Sequence, residues 1–216
     1  METPSSGLVQ LPLFPLNAVL FPEGRLPLQI FEPRYLDMIG RRHAAGEPFG
    51  VVCLSTGREI RTPGEGGYAP ESLHGVGTLV RIDLLERPRP ALMMMLGTGL
   101  QRFRIERHEQ QRYGLWVADA ELLPPDTPTA IPPDLLYLRD KLLRLVEEWK
   151  SQASGSEDIE LTALETAPRW DDCGWLANRW CELLALGTGE KQRLLELDSP
   201  LLRLELVSDA FARVGF

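Results

Sequence analysis

Residues 11–39 read LPLFPLNAVLFPEGRLPLQIFEPRYLDMI, and no other stretch constrains the chain as strongly. Its apolar residues are cut by Pro12, Pro15, Pro22, Pro27 and Pro33. An interior proline removes an amide donor and clashes with the preceding turn, so no long helix fits. Glu23 and Arg25 also interrupt the apolar run before it reaches membrane-spanning length. Short strands joined by tight turns remain. Leu11, Leu13, Val19, Leu20, Leu26, Leu28 and Ile30 are then the core-facing groups, with prolines at sheet edges and corners. After Pro33 the pattern changes. Tyr35, Leu36 and Ile39 fall at helical spacing, and Pro33 suits a first helical position. The segment predicts strand, turn, strand and helix.

Working outward, residues 49–122 continue as a strand-rich region. Phe49 to Leu54 has the composition of a buried strand. Residues 57–77, rich in glycine, proline and charge and containing Tyr68, read as a long exposed loop. Thr78 to Leu85 alternates as a strand, Arg87-Pro88-Arg89-Pro90 turns the chain, and Ala91 to Leu96 forms the next strand. Gly97 and Gly99 predict a further turn. In Gln101 to Arg107, Phe103 and Ile105 point inward while Arg102, Arg104 and Glu106 point outward. Tyr113 to Leu122 completes a meander, which suggests a small closed or partly closed sheet.

Prolines crowd residues 123–134 and favour an extended linker. Beyond it Leu135, Leu138, Leu142, Leu145 and Trp149 step by three and four along one helical stripe. Asp171 or Asp172 is placed to cap a helix through Trp175, Leu176, Arg179, Trp180, Leu183 and Leu184. A short helix follows from Glu190 to Leu197, and Ser199-Pro200 opens a last one bearing Leu201 and Leu204 on one face. The fold class expected is α+β: a β-rich domain with one early helix over 1–122, a linker over 123–134, and an all-helical subdomain over 135–216.

Composition bounds the function. With 216 residues and a charged fraction of 25%, the chain has the make-up of a globular protein. Charge balances through residue 120, so the whole net charge of −8 resides in the second half. That disfavours a general nucleic-acid binder, which needs a basic stripe. Cys53, Cys173 and Cys181 form an odd set without metal-ligand spacing and read as reduced, inert thiols. The start, METPSSGLVQ, lacks the pattern of a signal peptide, so the expected location is cytoplasmic.

Catalytic patterns are missing from these residues. Gly187-Thr188-Gly189-Glu190-Lys191-Gln192 is the nearest approach to a phosphate loop, but its spacing is wrong and no Ser or Thr follows the lysine. Lys150 and Ser151 are adjacent, and adjacent helical residues do not face each other. His43, His74 and His108 are scattered. No cofactor or metal is expected. Met93, Met94 and Met95 stand in a strand with Met94 opposite to the other two, which reads as core packing or as an adaptable apolar surface. Arg102, Arg104, Arg107 and Arg112 form the one basic cluster, read as a solvated strand face or as a contact for an anion or RNA. Trp170 is core or an anchor for a partner.

The opening segment closely resembles the start of the amino-terminal domain of ATP-dependent Lon proteases. Leu11 to Leu16, Val19 to Pro22, Leu26 to Leu28 and Ile30 to Tyr35 follow that family's pattern of an LPLFPL strand, a VLFPG-like turn, an LPLxIFExRY strand and a helix. One departure is Glu23, which displaces the glycine of the turn to Gly24. Phe49 to Val52, Gly77 to Ile82, Gly99 to Ile105 and Lys191 to Leu197 with Arg203-Leu204 look like later blocks in the family's order. The resemblance implies a PUA-like sheet domain, then a helical subdomain, together recognising substrate proteins and helping to hold subunits together. The ATPase and protease domains follow that region in Lon proteases, so the chain looks like a stand-alone, non-catalytic substrate-binding domain. Its expected partners are unfolded or tagged proteins and peptides, a separate protease, and a second copy of itself in weak association; no membrane is expected. The alternative is a PUA-like binder of RNA or a small anionic ligand through the arginine cluster, and a hydrolase acting through Cys53 is a distant third. The candidate binding residues are Glu32, Arg34, Tyr35, Tyr68, Met94, Arg102 and Arg104, around a cleft between the opening segment, the 57–77 loop and the linker. Glu32 also has a structural reading, at the first helix's amino end where the dipole favours a carboxylate, and Arg34 and Tyr35 have one as groups that tie that helix to the sheet.

Overall fold

A computed structural model describes residues 7–57, 63–64, 67–68, 71–152 and 168–214. The chain divides into two compact units, one of residues 1–22 with 26–125 and the other of residues 23–25 with 126–216.

The first unit is built on a six-stranded sheet. Its strands are β1 (Val9–Leu16), β2 (Arg25–Ile30), β3 (Phe49–Thr56), β6 (Ser72–Arg89), β7 (Leu92–Gln110) and β8 (Trp116–Leu122). A separate two-residue pair, β4 (Pro63–Gly64) and β5 (Gly67–Tyr68), lies between β3 and β6 in sequence. The sheet order is β2-β7-β6-β3-β1-β8, and β8 pairs again with β7. Five strands therefore close on themselves and β2 hangs on β7 as an end strand. The β1–β3 pair is parallel, and the β1–β8, β3–β6, β6–β7 and β7–β8 pairs are antiparallel. Closure is achieved by β7, whose first part pairs with β6 and whose last part, from Phe103 on, pairs with β8.

Proline positions follow from this pairing. Pro12 and Pro15 lie inside β1, which is not an edge strand. However, β8 covers only residues 9–13 and β3 only residues 13–16, so each proline is paired on one side alone. A missing donor is tolerated there as at an edge.

Gly97 and Gly99 correct the sequence reading. They lie within β7 and make no turn. A β-carbon at Gly97 would fall 2.6 Å from Val80 Cγ1 and 2.9 Å from the Arg81 carbonyl oxygen, and one at Gly99 would fall 2.5 Å from the Phe21 carbonyl oxygen. These glycines permit close approach of neighbouring backbone, the other established role of glycine in a strand. The turn between the long strands, expected over residues 87–90, is at Pro90-Ala91.

Two apolar clusters fill the unit. Leu11, Leu13, Val52, Leu79, Phe103, Ala118 and Ala120 come from all five strands of the closed sheet and occupy its interior. Phe14, Ile30, Phe49, Val51, Val80, Met93 and Met95 pack with Tyr35, Met38 and Ile39 of helix α1 (Pro33–Ala45). Helix α1 has Glu32 at its N-cap, Pro33 at its first position and Gly46 closing it in a left-handed conformation, φ 66°.

The second unit contains α2 (Leu136–Gln152), α3 (Cys173–Leu183), α4 (Thr188–Glu196) and α5 (Pro200–Val214). Asp172 caps α3 by accepting from the Trp175 amide at 2.8 Å. Ser199 Oγ accepts from the Leu202 amide at 3.2 Å at the start of α5. The buried stripe of α2 is Leu138, Leu142 and Val146, next to Leu135 of the preceding 3-10 turn. Trp180 packs edge-on against Phe211 at 5.0 Å and donates its indole N–H to the Leu138 carbonyl at 3.1 Å.

Residues 126–130 are fastened to the helices. Arg203, wholly buried on α5, meets the carboxylate of Asp126 with both terminal nitrogens. It also donates to the Leu194 carbonyl at 3.0 Å and to Asn178 Oδ1 at 3.2 Å. Thr129 N donates to Asp172 Oδ2 at 3.0 Å, and Cys173 N to the Thr129 carbonyl at 2.8 Å. Glu23 adopts a left-handed backbone, φ 66°. Its carboxylate pairs with Arg169 and its carbonyl accepts from Arg179 at 3.0 Å. These contacts accompany a non-glycine residue in a conformation that costs about 1–2 kcal/mol for an L-residue.

Candidate functional site

The site begins with the alternation of β6 and β7 beyond the closed sheet. Leu84 stands opposite Leu96, Leu85 opposite Met95, and Glu86 opposite Met94. Directly opposed residues share a face, and successive residues alternate. Leu85, Met93 and Met95 therefore point to the α1 core, where the two methionines are 2% and 3% exposed. Leu84, Met94 and Leu96 point the other way, with Leu84 52% and Met94 43% exposed and Leu96 half-buried. Met94 is the diagonal neighbour of Leu84, close enough for long side chains to share one apolar surface.

Charge rims this face. At one end Asp83 accepts from Arg81 Nε at 2.7 Å and from the Thr98 hydroxyl. At the other end stand Glu86, Arg87 and Arg89, all exposed. Arg87 reaches back to α1, with its Nη2 2.7 Å from where a β-carbon at Gly40 would lie. The hairpin is thus backed by core residues and by α1 while its outer face stays open. An apolar patch with a polar rim on a rigid support has the anatomy of a protein-contact surface.

A second concavity, about 850 Å3, lies between α1 and the β1–β8 pair. Pro12, Met38, Leu115 and Val117 give it apolar lining, and Arg34, Arg41 and Arg42 are its cations. Arg41 pairs with Asp37 and Arg42 with Glu47. Tyr113, at its rim in the 3-10 turn Arg112–Gly114, is 83% exposed and holds a left-handed φ of 74°.

The remaining sequence candidates take these positions. Arg34 Nε donates to Glu32 at 3.1 Å, its Nη1 to the Gly114 carbonyl at 2.6 Å, and its guanidinium lies 4.4 Å over the Tyr35 ring. Tyr35 is buried and stacks on Phe14 of β1 at 4.1 Å. This trio fastens the start of α1 to β1 and to the turn before β8. Arg102 is 4% exposed, which overturns its placement on a solvated strand face. Strict alternation fails where β7 changes partner, because both faces are covered there. Arg104 sits 3.5 Å from Glu121 and Arg107 2.8 Å from Asp119, both carboxylates on β8, so these two members of the basic cluster each face an acidic partner. Tyr68 has its backbone in β5, but its side chain, like that of Arg112, lies outside the described residues, as do most of residues 58–70; residues 72–77 of the expected 57–77 loop belong instead to β6. Trp170 is half-buried and meets Trp175 edge-on at 5.0 Å.

Sequence reading singled out Met94 but passed over Leu84 and Leu96. The signal was present in the Leu84-Leu85 doublet, because one member of such a pair in a strand must face outward.

Thiol chemistry finds no support in the geometry. Cys53 is buried, its Sγ 3.5 Å from the Leu54 carbonyl. Burial, then the Asp172 charge, push the Cys173 thiol up to about 11. Burial pushes Cys181 up to about 12. Both stay protonated at neutral pH. Among the described residues, no helix is long and apolar enough to cross a membrane.

A family model described as the ATP-dependent protease La (LON) substrate-binding domain matches residues 10–213. The chain belongs to this family. Two Lon proteases are similar to it along 94% of its length: that of Desulfovibrio desulfuricans at 27% identity over 205 residues, and that of Heliobacterium modesticaldum at 24% over 206. The chain spans only 22% and 24% of those proteins. The crystal structure of a Lon N-terminal domain protein from Xanthomonas campestris superposes with a TM-score of 0.71 at 28% identity, covering 94% of this chain and 98% of that one. The N-terminal domain of the Mycobacterium avium complex Lon protease superposes at 0.58 with 13% identity over the same shares, a likeness of fold alone. The six-stranded sheet with its helices is therefore the Lon N-terminal domain fold, of α+β class.

Proposed function

We propose that this Lon-type domain recognises unfolded or extended polypeptide through the outer face of the β6–β7 hairpin, with Met94 at its centre. One observation carries the reading: Leu84 and Met94 form an exposed apolar pair on a strand face whose reverse side is core. Unfolded proteins differ from folded ones in displaying apolar side chains, and a surface of this kind reads that difference without reading sequence. Methionine suits the task because its unbranched thioether adapts to varied shapes. Each ligand side chain buried here contributes about 1.5–3 kcal/mol before ordering costs, so one contact binds weakly and selects chains with several apolar groups. The finer part of the proposal is an adaptor role, in which bound chains are handed to ATPase and protease domains.

A photo-crosslinking amino acid placed at position 94 tests the location. The reading predicts crosslinks to a reduced, alkylated model protein and none to its folded form. Equal crosslinking of both forms, or stronger crosslinking from a control position such as Arg107, would discard it.

A further inference from the structure

We propose that Met94 is an oxidation site through which a peroxide weakens the apolar hairpin face. The inference rests on the recognition reading above. The chain has five methionines: Met1 lies outside the described residues, while Met38, Met93 and Met95 are 4%, 2% and 3% exposed. Met94 is 43% exposed, the one described methionine whose side chain solvent reaches. The sulfur groups that usually compete for peroxide are withdrawn. All three cysteines are buried, and a buried thiol reacts slowly. Thioether oxidation needs no thiolate and no partner residue, only access.

The reaction balances simply. The Met94 sulfur attacks one oxygen of hydrogen peroxide, an S–O bond forms, and the O–O bond breaks. The leaving hydroxide takes the proton still carried by the oxygen now on sulfur and departs as water, sulfur loses two electrons, and the product is methionine sulfoxide. The consequence depends on where this happens. An apolar, flexible group diagonal to Leu84 and two residues from Leu96 on the same face becomes polar, and the face loses that contact. Strands β6 and β7 are unaffected, since the side chain packs against no core. A sulfoxide reductase drawing on a dithiol would return the thioether, making the change reversible.

The test is graded hydrogen peroxide treatment of the whole chain, with peptide mapping and with binding of a labelled, unfolded probe protein measured on the same samples. The proposal predicts that Met94 gains oxygen before Met38, Met93 and Met95. It also predicts that affinity falls roughly tenfold, the loss of one buried apolar group. Reductase treatment restores affinity. Met94→Leu, whatever affinity it starts from, shows no peroxide-dependent change. Oxidation of Met93 or Met95 at the same rate as Met94 overturns the proposal, and so does an equal peroxide-dependent loss in Met94→Leu. Selective oxidation with unchanged binding overturns the switch alone, whereas no binding before oxidation overturns the recognition reading beneath it.

Discussion

Met94 stands directly across the β6–β7 hairpin from Glu86, which commits its side chain to the solvent face. Met95, one residue on, is committed to the core opposite Leu85. Three consecutive methionines are thus divided by pleat alone. Truncation should expose the division. Met93→Ala and Met95→Ala should each lower unfolding free energy by about 2–5 kcal/mol, the cost of emptying a packed site. Met94→Ala should stay within about 0.5 kcal/mol of the parent. Urea unfolding of the three variants checks this, and equal losses at all three would show that the hairpin is not two-sided.

Gly99 and Gly75 provide an opposed pair. An alanine β-carbon at Gly99 would meet the Phe21 carbonyl, which is backbone and cannot swing aside. Gly99→Ala should therefore cost about 1–3 kcal/mol. At Gly75 no described residue lies within 4 Å of the added carbon, so Gly75→Ala should be neutral or gain up to about 1 kcal/mol from reduced chain entropy. Thermal melts of both variants decide it, and a tolerated Gly99→Ala would contradict the close-approach account of β7.

That account also shows what could be read from the chain in advance. The proline-cut segment disclosed strand, turn, strand and helix because proline acts locally: Pro33 opens α1 whatever lies nearby. Gly97 and Gly99 were opaque because glycine marks a turn or a close approach with the same letter. The distinction rests on residue 21 and on residues 80–81, far away in sequence. Arg102 was misread for a related reason. Alternation tells inside from outside only while a strand keeps one exposed face, and β7 gives that up where it passes from β6 to β8. Met94 was legible because the hairpin beyond that point is an ordinary two-faced ribbon.

Arg203 and Asp126 form a largely buried ion pair in the helical unit, with side chains 1% and 16% exposed. Arg203→Met removes the cation that meets the Asp126 carboxylate and should cost about 3–5 kcal/mol. Adding Asp126→Ala removes the facing carboxylate and should recover part of that loss. Denaturant unfolding of the single and double variants measures both. A double variant less stable than the sum of its parts would mean that the pair is not the source of the cost.

Cys181 makes stability depend on alkaline pH. Its folded thiol is raised from 9.0 to about 12, chiefly by burial, and that of Cys173 is raised to about 11. Below the unfolded value, thiols in both states are protonated and stability is at its full level. As pH rises from about 9 the unfolded thiols ionise and the folded ones do not, so the unfolded state gains and stability falls until the folded values are passed. Urea midpoints between pH 8 and 10.5 should decline, and Cys181→Ala should flatten the decline. An unchanged slope in that variant would assign the alkaline loss to other groups.

The most direct test of polypeptide recognition by the hairpin is the affinity of a fluorescent, reduced and alkylated protein for the parent chain and for Leu84→Asp/Met94→Asp. Both positions are exposed, so the double variant should keep its melting temperature within a few degrees. The account predicts saturable binding by the parent that falls at least about tenfold in the variant, from the loss of two apolar contacts and the added charge. Binding undiminished in the folded double variant would contradict it.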